Sequence, residues 1–383
     1  MTSDAVVLRR QLAARVFDDE ELRGSSWRPA VEAVAREVFV GDAVYLKETG
    51  DGGTVWNPVH RQRTSGESWL RMVYQDETWI TQVSGIAAVD APGGVTGPPT
   101  SSSTMPSLVV KMLEVAGIGD GEKVLEVGTG TGYSTALMCE RLGEELITSV
   151  EYDPQVAARA RAALETAGYA PTLVIGDGLV GYEKNAEYDR LIATCSVRYI
   201  PFLWMWQVRD GGTITAPLSG WMGGSALAHL TLADDGTASG HFDSHDVAFM
   251  AARPHLPPPR PTVLHLGRGE ERRCRIDPNL LTGSTGRFVA QLGAPSADLI
   301  SDGDEVLLLD VATGSQATTE PAGNGWTVRQ HGPLRLWDAV EEAVEVWLSA
   351  GSPHQSGFGL TVGRTGQRVW LGDLDGPSWW LPA

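Results

Sequence analysis

Val124-Leu125-Glu126-Val127-Gly128-Thr129-Gly130-Thr131-Gly132-Tyr133-Ser134 is the stretch around which the chain is organised. The run from Lys123 to Val127 reads as a buried strand. Three glycines follow at alternate positions. Ala136, Leu137 and Leu142 then fall at helical spacing. The predicted order is strand, tight glycine turn, helix. Glycine lets the backbone turn sharply and lets a ligand approach with no Cβ in the way. The helix N-terminus points its unpaired N–H groups at that ligand.

Three further features give the turn a purpose. Ile147 to Val150 is a second apolar run and ends in Glu151. An acid roughly 20 positions beyond such glycines is where nucleotide sites grip a ribose hydroxyl. A third run, Thr172 to Ile175, ends in Gly176-Asp177-Gly178, and a fourth spans Asp189 to Thr194. This order resembles the S-adenosylmethionine site of Rossmann-like methyltransferases. A dinucleotide site usually reads G-x-G-x-x-G; here the third glycine comes early, at Gly132, which favours the methyl donor. Another nucleotide, or a turn that holds nothing, are the alternatives.

The 383 residues exceed one ordinary core, so two or three domains are expected. Apolar content of 42% with 20% charged residues indicates a globular protein. Lys plus Arg is 30 against 48 Asp plus Glu, a net charge of −18. Such a surface repels phosphate backbones, so nucleic acid is not expected as a partner. It suits a neutral or basic polypeptide, or is simply well solvated. Cys139, Cys195 and Cys274 are odd in number and widely spaced, with no metal or disulfide pattern, which fits a reducing cytoplasm. No apolar run is long enough to span a membrane, and the N-terminus has no signal core.

Residues 1–24 read as a short helix, and Ser26 to Val40 as containing a second, with Pro29 in its first turn. Gly41 to Gly66 reads as loop-rich, with Gly50-Asp51-Gly52-Gly53 as a turn. Leu70 to Tyr74 and Thr78 to Thr81 read as extended. Ala91 to Thr100 reads as a mobile connection. Thr100 to Thr104 are five hydroxyls in a row ahead of a helix marked by Pro106, Leu108, Met112 and Leu113. They can cap that helix or donate hydrogen bonds to a carboxylate at its N-terminus. Asp153-Pro154 opens the helix after the second strand. The alternation of strands and helices implies a parallel sheet covered on both faces. Beyond Ala233-Asp234-Asp235-Gly236 the pattern changes. Five prolines between Pro254 and Pro261 suggest a stiff connection. Short strands and one helix, Trp337 to Leu348, then suggest a small α+β domain with no chemical motif.

Over about residues 28–220 the chain resembles protein-L-isoaspartate O-methyltransferases. Ala35-Arg36-Glu37-Val38-Phe39-Val40 is similar to that family's Val-Pro-Arg-x-x-Phe-Val. Tyr74-Gln75-Asp76 is similar to its tyrosine–aspartate segment. Val124 to Tyr133, Gly176-Asp177-Gly178, Tyr188-Asp189, Pro201, Gln207, Gly211-Gly212 and Pro217 match as well. The resemblance implies an α/β fold: a Rossmann-like class I methyltransferase sheet over 86–233, an N-terminal helical and loop extension over 1–85, and a C-terminal α+β accessory domain over 234–383. The family's active loop reads Ile-Ser-Ala-Pro-His-Met. Here Ser103-Thr104-Met105-Pro106-Ser107-Leu108 stands in its place, so Thr104 takes the serine position and Ser107 that of the histidine. A repair enzyme is also expected to end near residue 230, and this chain runs about 150 residues further. These departures, with Thr194-Cys195-Ser196-Val197-Arg198-Tyr199 in place of the family's alanine-rich segment, are similar to a subgroup acting on ribosomally made, macrocyclic peptides of the lanthipeptide or graspetide kind. That subgroup is implied to methylate an ordinary aspartate, whose ester closes to an aspartimide. Repair of isoaspartate in aged proteins is the alternative, and a binding module that kept the fold but lost catalysis is a third.

A carboxylate is already an anion at neutral pH and needs no general base. It needs alignment and partial removal from water. Ser103 and Thr104 are therefore the expected orienting hydroxyls. The resemblance implies that Glu126, Gly128, Thr129, Gly130 and Gly132 line the donor's methionine end. It likewise implies that Glu151 holds the ribose and that Asp177 with Gly178 holds the adenine. S-adenosyl-L-homocysteine is the implied product. Tyr74, Asp76, Cys195 and Arg198 are candidate substrate contacts. For Cys195 the alternative is packing, and for Arg198 a surface ion pair. No metal is expected. The peptide's identity and the oligomeric state are not readable.

Overall fold

Four apolar runs become four parallel strands. In a computed structural model describing residues 3–50, 53–260, 269–302 and 305–382, all four side chains of Val124–Val127 are buried. This strand pairs in parallel with Ile147–Glu151 on one side and Tyr188–Ala193 on the other, and Thr172–Ile175 adds beyond Ile147–Glu151. Strands covered on both faces carry near-continuous apolar runs, which is why these were readable. Helix Pro154–Ala167 starts as its sequence predicts. Asp153 accepts from the amides of Gln155 (2.8 Å) and Val156 (3.3 Å), and Pro154 takes the first position. It ends at Gly168, in the left-handed region at φ 90°, with Tyr169 N donating to Leu164 O at 2.9 Å.

The segment before the glycine turn is more ordered than a loop-rich reading allows. Ala43–Gly50 and Gly53–His60 form an antiparallel hairpin paired from Ala43↔His60 to Gly50↔Gly53. Asp51 and Gly52 of the expected turn lie outside the described residues. Ala43 and Tyr45 pack with Val83, Ala88 and Ala91, a contact far along the chain that no local signal announces. Leu70 to Tyr74, expected to be extended, lies mostly in helix Gly66–Val73. Trp69 and Val73, four apart, are its buried face, and Ser65 caps it by accepting from Ser68 N at 3.1 Å. The expected helix within Ser26 to Val40 is two short ones, Arg28–Ala33 and Arg36–Val40, broken at Val34 and Ala35, whose backbones are extended. The hydroxyl run is a strand: Pro99–Ser103 pairs antiparallel with Trp79–Val83, Trp79 opposite Ser103.

These elements belong to one compact unit, made of the described residues up to Thr194 together with Gln207–Gly212. A second unit is made of Cys195–Trp206 and the described residues from Thr213 on. In it, Val208–Ser219 pairs from Thr213 onward with Ser225–Leu232. Ala238–Phe242, Phe358–Gly363, Gly366–Leu371 and Ser378–Trp380 continue the antiparallel sheet. A separate five-stranded antiparallel sheet runs in the order Glu270–Arg273, Gly325–His331, Ser315–Ala322, Glu305–Asp310, Asp298–Asp302. The expected helix is Leu336–Ser349, with Trp337, Val340, Val344 and Trp347 all buried. Residue 85 falls inside the first unit. Ala233-Asp234-Asp235-Gly236 is a hairpin turn inside the second. Pro261 of the proline cluster lies outside the described residues. Among the described residues no helix is long and apolar enough to cross a membrane.

Candidate active site

Each glycine of the turn adopts a backbone that other residues avoid: φ is 101° at Gly128, 55° at Gly130 and 87° at Gly132. Gly128 N donates to Val150 O (2.8 Å), which ties the turn to the neighbouring strand. A Cβ added at Gly130 would meet Ser102 O at 3.5 Å. The glycine turn and the hydroxyl strand therefore touch, as a shared site requires.

Glu126 lies under the turn rather than beside a ligand. It is completely buried. One carboxylate oxygen accepts from Ser134 Oγ; the other accepts from Thr135 Oγ1 (2.5 Å) and Ser149 Oγ (2.7 Å). Thr129 Oγ1 joins this network through Ser149 Oγ at 2.6 Å. The expected contact of Glu126 with the donor is corrected accordingly: with no exposed atom, it braces strand, turn and helix from within. Burial pushes its pKa up, against the three hydroxyls that pull it down.

Glu151 stands at the end of its strand, with one oxygen accepting from Gly130 N at 2.8 Å and the other from Asp153 N at 3.0 Å. A carboxylate has lone pairs beyond these two bonds, so it can also accept from hydroxyls. Asp177 accepts from Leu179 N at 2.9 Å. Gly178 is buried, and a Cβ there would strike Val127 Cγ1 at 2.4 Å, so glycine is required for the loop to approach the first strand. Thr194, which sequence reasoning did not single out, donates through Oγ1 to Gly128 O and holds the turn from the fourth strand.

The two candidate hydroxyls differ. Ser103 is 1% exposed and its Oγ finds no partner among the described residues, whereas Thr104, next along, is half-buried. Thr104 follows the last residue of strand Pro99–Ser103 and keeps part of its surface exposed. Helix Pro106–Val115 takes no cap from the hydroxyl run. Its Ser107 N donates to Asp76 Oδ1 (2.9 Å), and Met105 N donates to Thr78 Oγ1 (3.0 Å). Asp76 thus serves as a remote cap. Tyr74, a second candidate substrate contact, is 1% exposed. Its hydroxyl donates to Glu37 and accepts from Arg9 Nε at 3.3 Å, and burial holds the phenol above its ordinary pKa. It is a packing residue, because no substrate can reach it.

Cys195 and Arg198 lie in the second unit. Cys195 is half-buried. The Arg198 guanidinium lies 3.6 Å from the centre of the Trp221 ring and donates to Pro295 O at 2.8 Å. Within that unit it holds loops together, with burial lowering its pKa. Arg36, quoted above only as part of a signature, proves central. It is fully buried and donates to the carbonyls of Val73, Gln75, Glu77 and Thr104.

A parallel sheet with a glycine turn, an acid closing the second strand and Gly-Asp-Gly closing the third defines the class I methyltransferase fold. The model of the protein-L-isoaspartate(D-aspartate) O-methyltransferase family matches residues 56–252, more than half of the chain, and the chain belongs to that family. The protein-L-isoaspartate O-methyltransferase of Ignicoccus hospitalis is 40% identical over 115 residues, which are 30% of this chain and 54% of that protein. The one from Methanococcus maripaludis strain C5 is 37% identical over 134 residues, 34% of this chain and 62% of its own. The chain spans about half the length of the curated relatives it matches. A solved protein-L-isoaspartate O-methyltransferase aligns over 95% of this chain and 100% of its own, at 19% identity and a TM-score of 0.54. That likeness is one of fold.

Proposed function

We propose that the chain is an S-adenosylmethionine-dependent carboxyl O-methyltransferase acting on an aspartate of a peptide. One observation carries the reading: a turn with glycine at every second position, and with Glu151 on its Gly130 amide, lies against the strand Pro99–Ser103 that leads into Thr104. The residues fit the donor. The glycines leave room for it, and we assign Glu151 to the ribose hydroxyls and Asp177 to the adenine amino group. Gly178 brings that loop close to the first strand. When bound, the donor supplies an electrophilic methyl group on a sulfonium and leaves as S-adenosyl-L-homocysteine. The chain's own part is orientation. Thr104 donates a hydrogen bond to the substrate carboxylate, which arrives already ionised.

The finer reading is an ordinary aspartate in a macrocyclic ribosomal peptide. Its methyl ester is then attacked by the next residue's backbone nitrogen, forming the C–N bond of an aspartimide. The ester C–O bond breaks, and methanol leaves with the amide proton. Thr104 and Ser107 in the active loop favour this. The alternative, isoaspartate repair, is favoured by the named relatives. Labelled donor offered with an isoaspartyl peptide and, separately, with a cyclised precursor peptide decides between them. Transfer to the first alone sinks the finer reading. Transfer to neither, with no donor binding by calorimetry, sinks both and leaves a binding module. Thr104→Val is expected to lower turnover at least about tenfold with donor affinity unchanged; an unaltered rate removes Thr104 from the mechanism.

A further inference from the structure

We propose that Arg36 is the positioning residue that holds Thr104 in register with the glycine turn. The kinetic part rests on the reading of Thr104 above; the structural part does not. Taking a cation out of water is costly unless its donors are used. A guanidinium has five N–H donors in a rigid fork. Four point at carbonyls: Nη1 at Val73 O (2.7 Å) and Gln75 O (2.5 Å), Nη2 at Glu77 O (2.6 Å) and Thr104 O (3.3 Å). Burial lowers its pKa to about 10, so it stays charged at neutral pH. The acceptors come from two segments that are distant in the chain. The first, the turn after helix Gly66–Val73, also grips the active loop through Thr78 on Met105 N and Asp76 on Ser107 N. Thr104, Met105 and Ser107 are thus held at three points, and Arg36 joins both sides of that grip.

The same guanidinium carbon lies 5.9 Å from the centre of the Tyr133 ring. Tyr133 is the first residue of the helix that the glycine turn feeds. Arg36 therefore contacts the end of the hydroxyl strand and the start of the donor-side helix at once. A lysine ammonium is a single point of charge and cannot span these acceptors.

Two variants test this. In Arg36→Lys, amide exchange at Met105 and Ser107 should speed up at least about tenfold relative to the whole chain. Gly130, whose amide Glu151 holds, should not change. Donor affinity should stay within about threefold, while kcat falls at least about tenfold with peptide KM little moved. In Tyr133→Leu the grip remains, so Met105 and Ser107 should stay protected while kcat still falls. Exchange that is unchanged, or that rises equally at Gly130, overturns the proposal, as does an unaltered kcat in Tyr133→Leu. If Arg36→Lys does not fold, Tyr133→Leu alone still decides. A wild-type chain that binds no S-adenosylmethionine would end the functional reading, yet the exchange pattern would still settle the grip.

Discussion

Glu126 concentrates a conflict at a single residue: a carboxylate with no water, three hydroxyl donors and the charge of Glu151 nearby. Burial is the largest effect and raises its pKa above the ordinary 4.5. The folded chain therefore holds this proton more tightly than the unfolded chain. The resulting stability is fully present below the ordinary value and is lost as pH rises through the raised one. Glu126→Gln removes the titration, and the hydroxyls can turn to suit the amide. Melting temperature measured across pH should fall less steeply above pH about 5 in the variant than in the wild type; parallel curves would refute the shift. Glu151, by contrast, is only partly buried and is the acid we assign to the donor's ribose. Glu151→Ala should weaken methyl-donor binding at least about tenfold, roughly 1.4 kcal/mol, by calorimetry, and undiminished affinity would move the donor elsewhere. Both acids were legible as positions, through the strand–turn–helix pattern and its spacing. Their orientation was not. Nothing in Val-Leu-Glu-Val says which face of a doubly covered strand a side chain takes, and the same gap put Tyr74 and Ser103 in contact with substrate when both are buried.

At the scale of elements, what the sequence announced was whatever is marked locally. Helix Pro154–Ala167 carries Asp153, Pro154 and Gly168 at its ends, and all three act as their types predict. Helix Pro106–Val115 carries five hydroxyls just upstream, yet four of them, Thr100 to Ser103, lie in a strand paired with Trp79–Val83, and the cap comes from Asp76, 31 residues away from Ser107. Strand pairing recruits those hydroxyls because it satisfies a whole row of backbone groups, whereas a cap satisfies one or two. A remote cap leaves no signature in the helix it serves. Asp76→Ala should cost about 1 kcal/mol of stability, with a further small loss of favourable charge at the helix N-terminus. Denaturant unfolding measures this. Ser102→Ala, at a half-buried position that caps nothing, is the control expected to change little. Equal midpoints for Asp76→Ala and wild type would return the cap to the hydroxyl run.

The whole chain crosses between its two compact units three times, after Thr194, Trp206 and Gly212, so neither unit is a contiguous piece. Composition shifts near residue 233, but the turn there joins Ser225–Leu232 to Ala238–Phe242, paired from Leu232↔Ala238 to Ala228↔Phe242. The family match, too, runs past this hairpin to residue 252. A chain ending at residue 233 would lose Ala238–Phe242 and bare the edge of Ser225–Leu232. It would also lose Phe242 together with Phe288, which packs on it at a centroid separation of 5.2 Å, and Phe358, which packs on Phe288 at 5.7 Å. Ala226, Ala228, Leu230 and Leu232, now almost fully buried, would lose that cover. Bare strand edges and uncovered apolar side chains recruit other chains. The shortened protein should therefore elute as aggregate on gel filtration and bind a hydrophobic dye, while the full chain elutes as a discrete species with sharp thermal unfolding. A shortened chain that stays discrete, unfolds cooperatively and binds the methyl donor with full affinity would show that the residues beyond 233 add nothing the first unit needs. The strands beyond the hairpin would then be an appendage rather than part of the fold that residues 213–233 depend on.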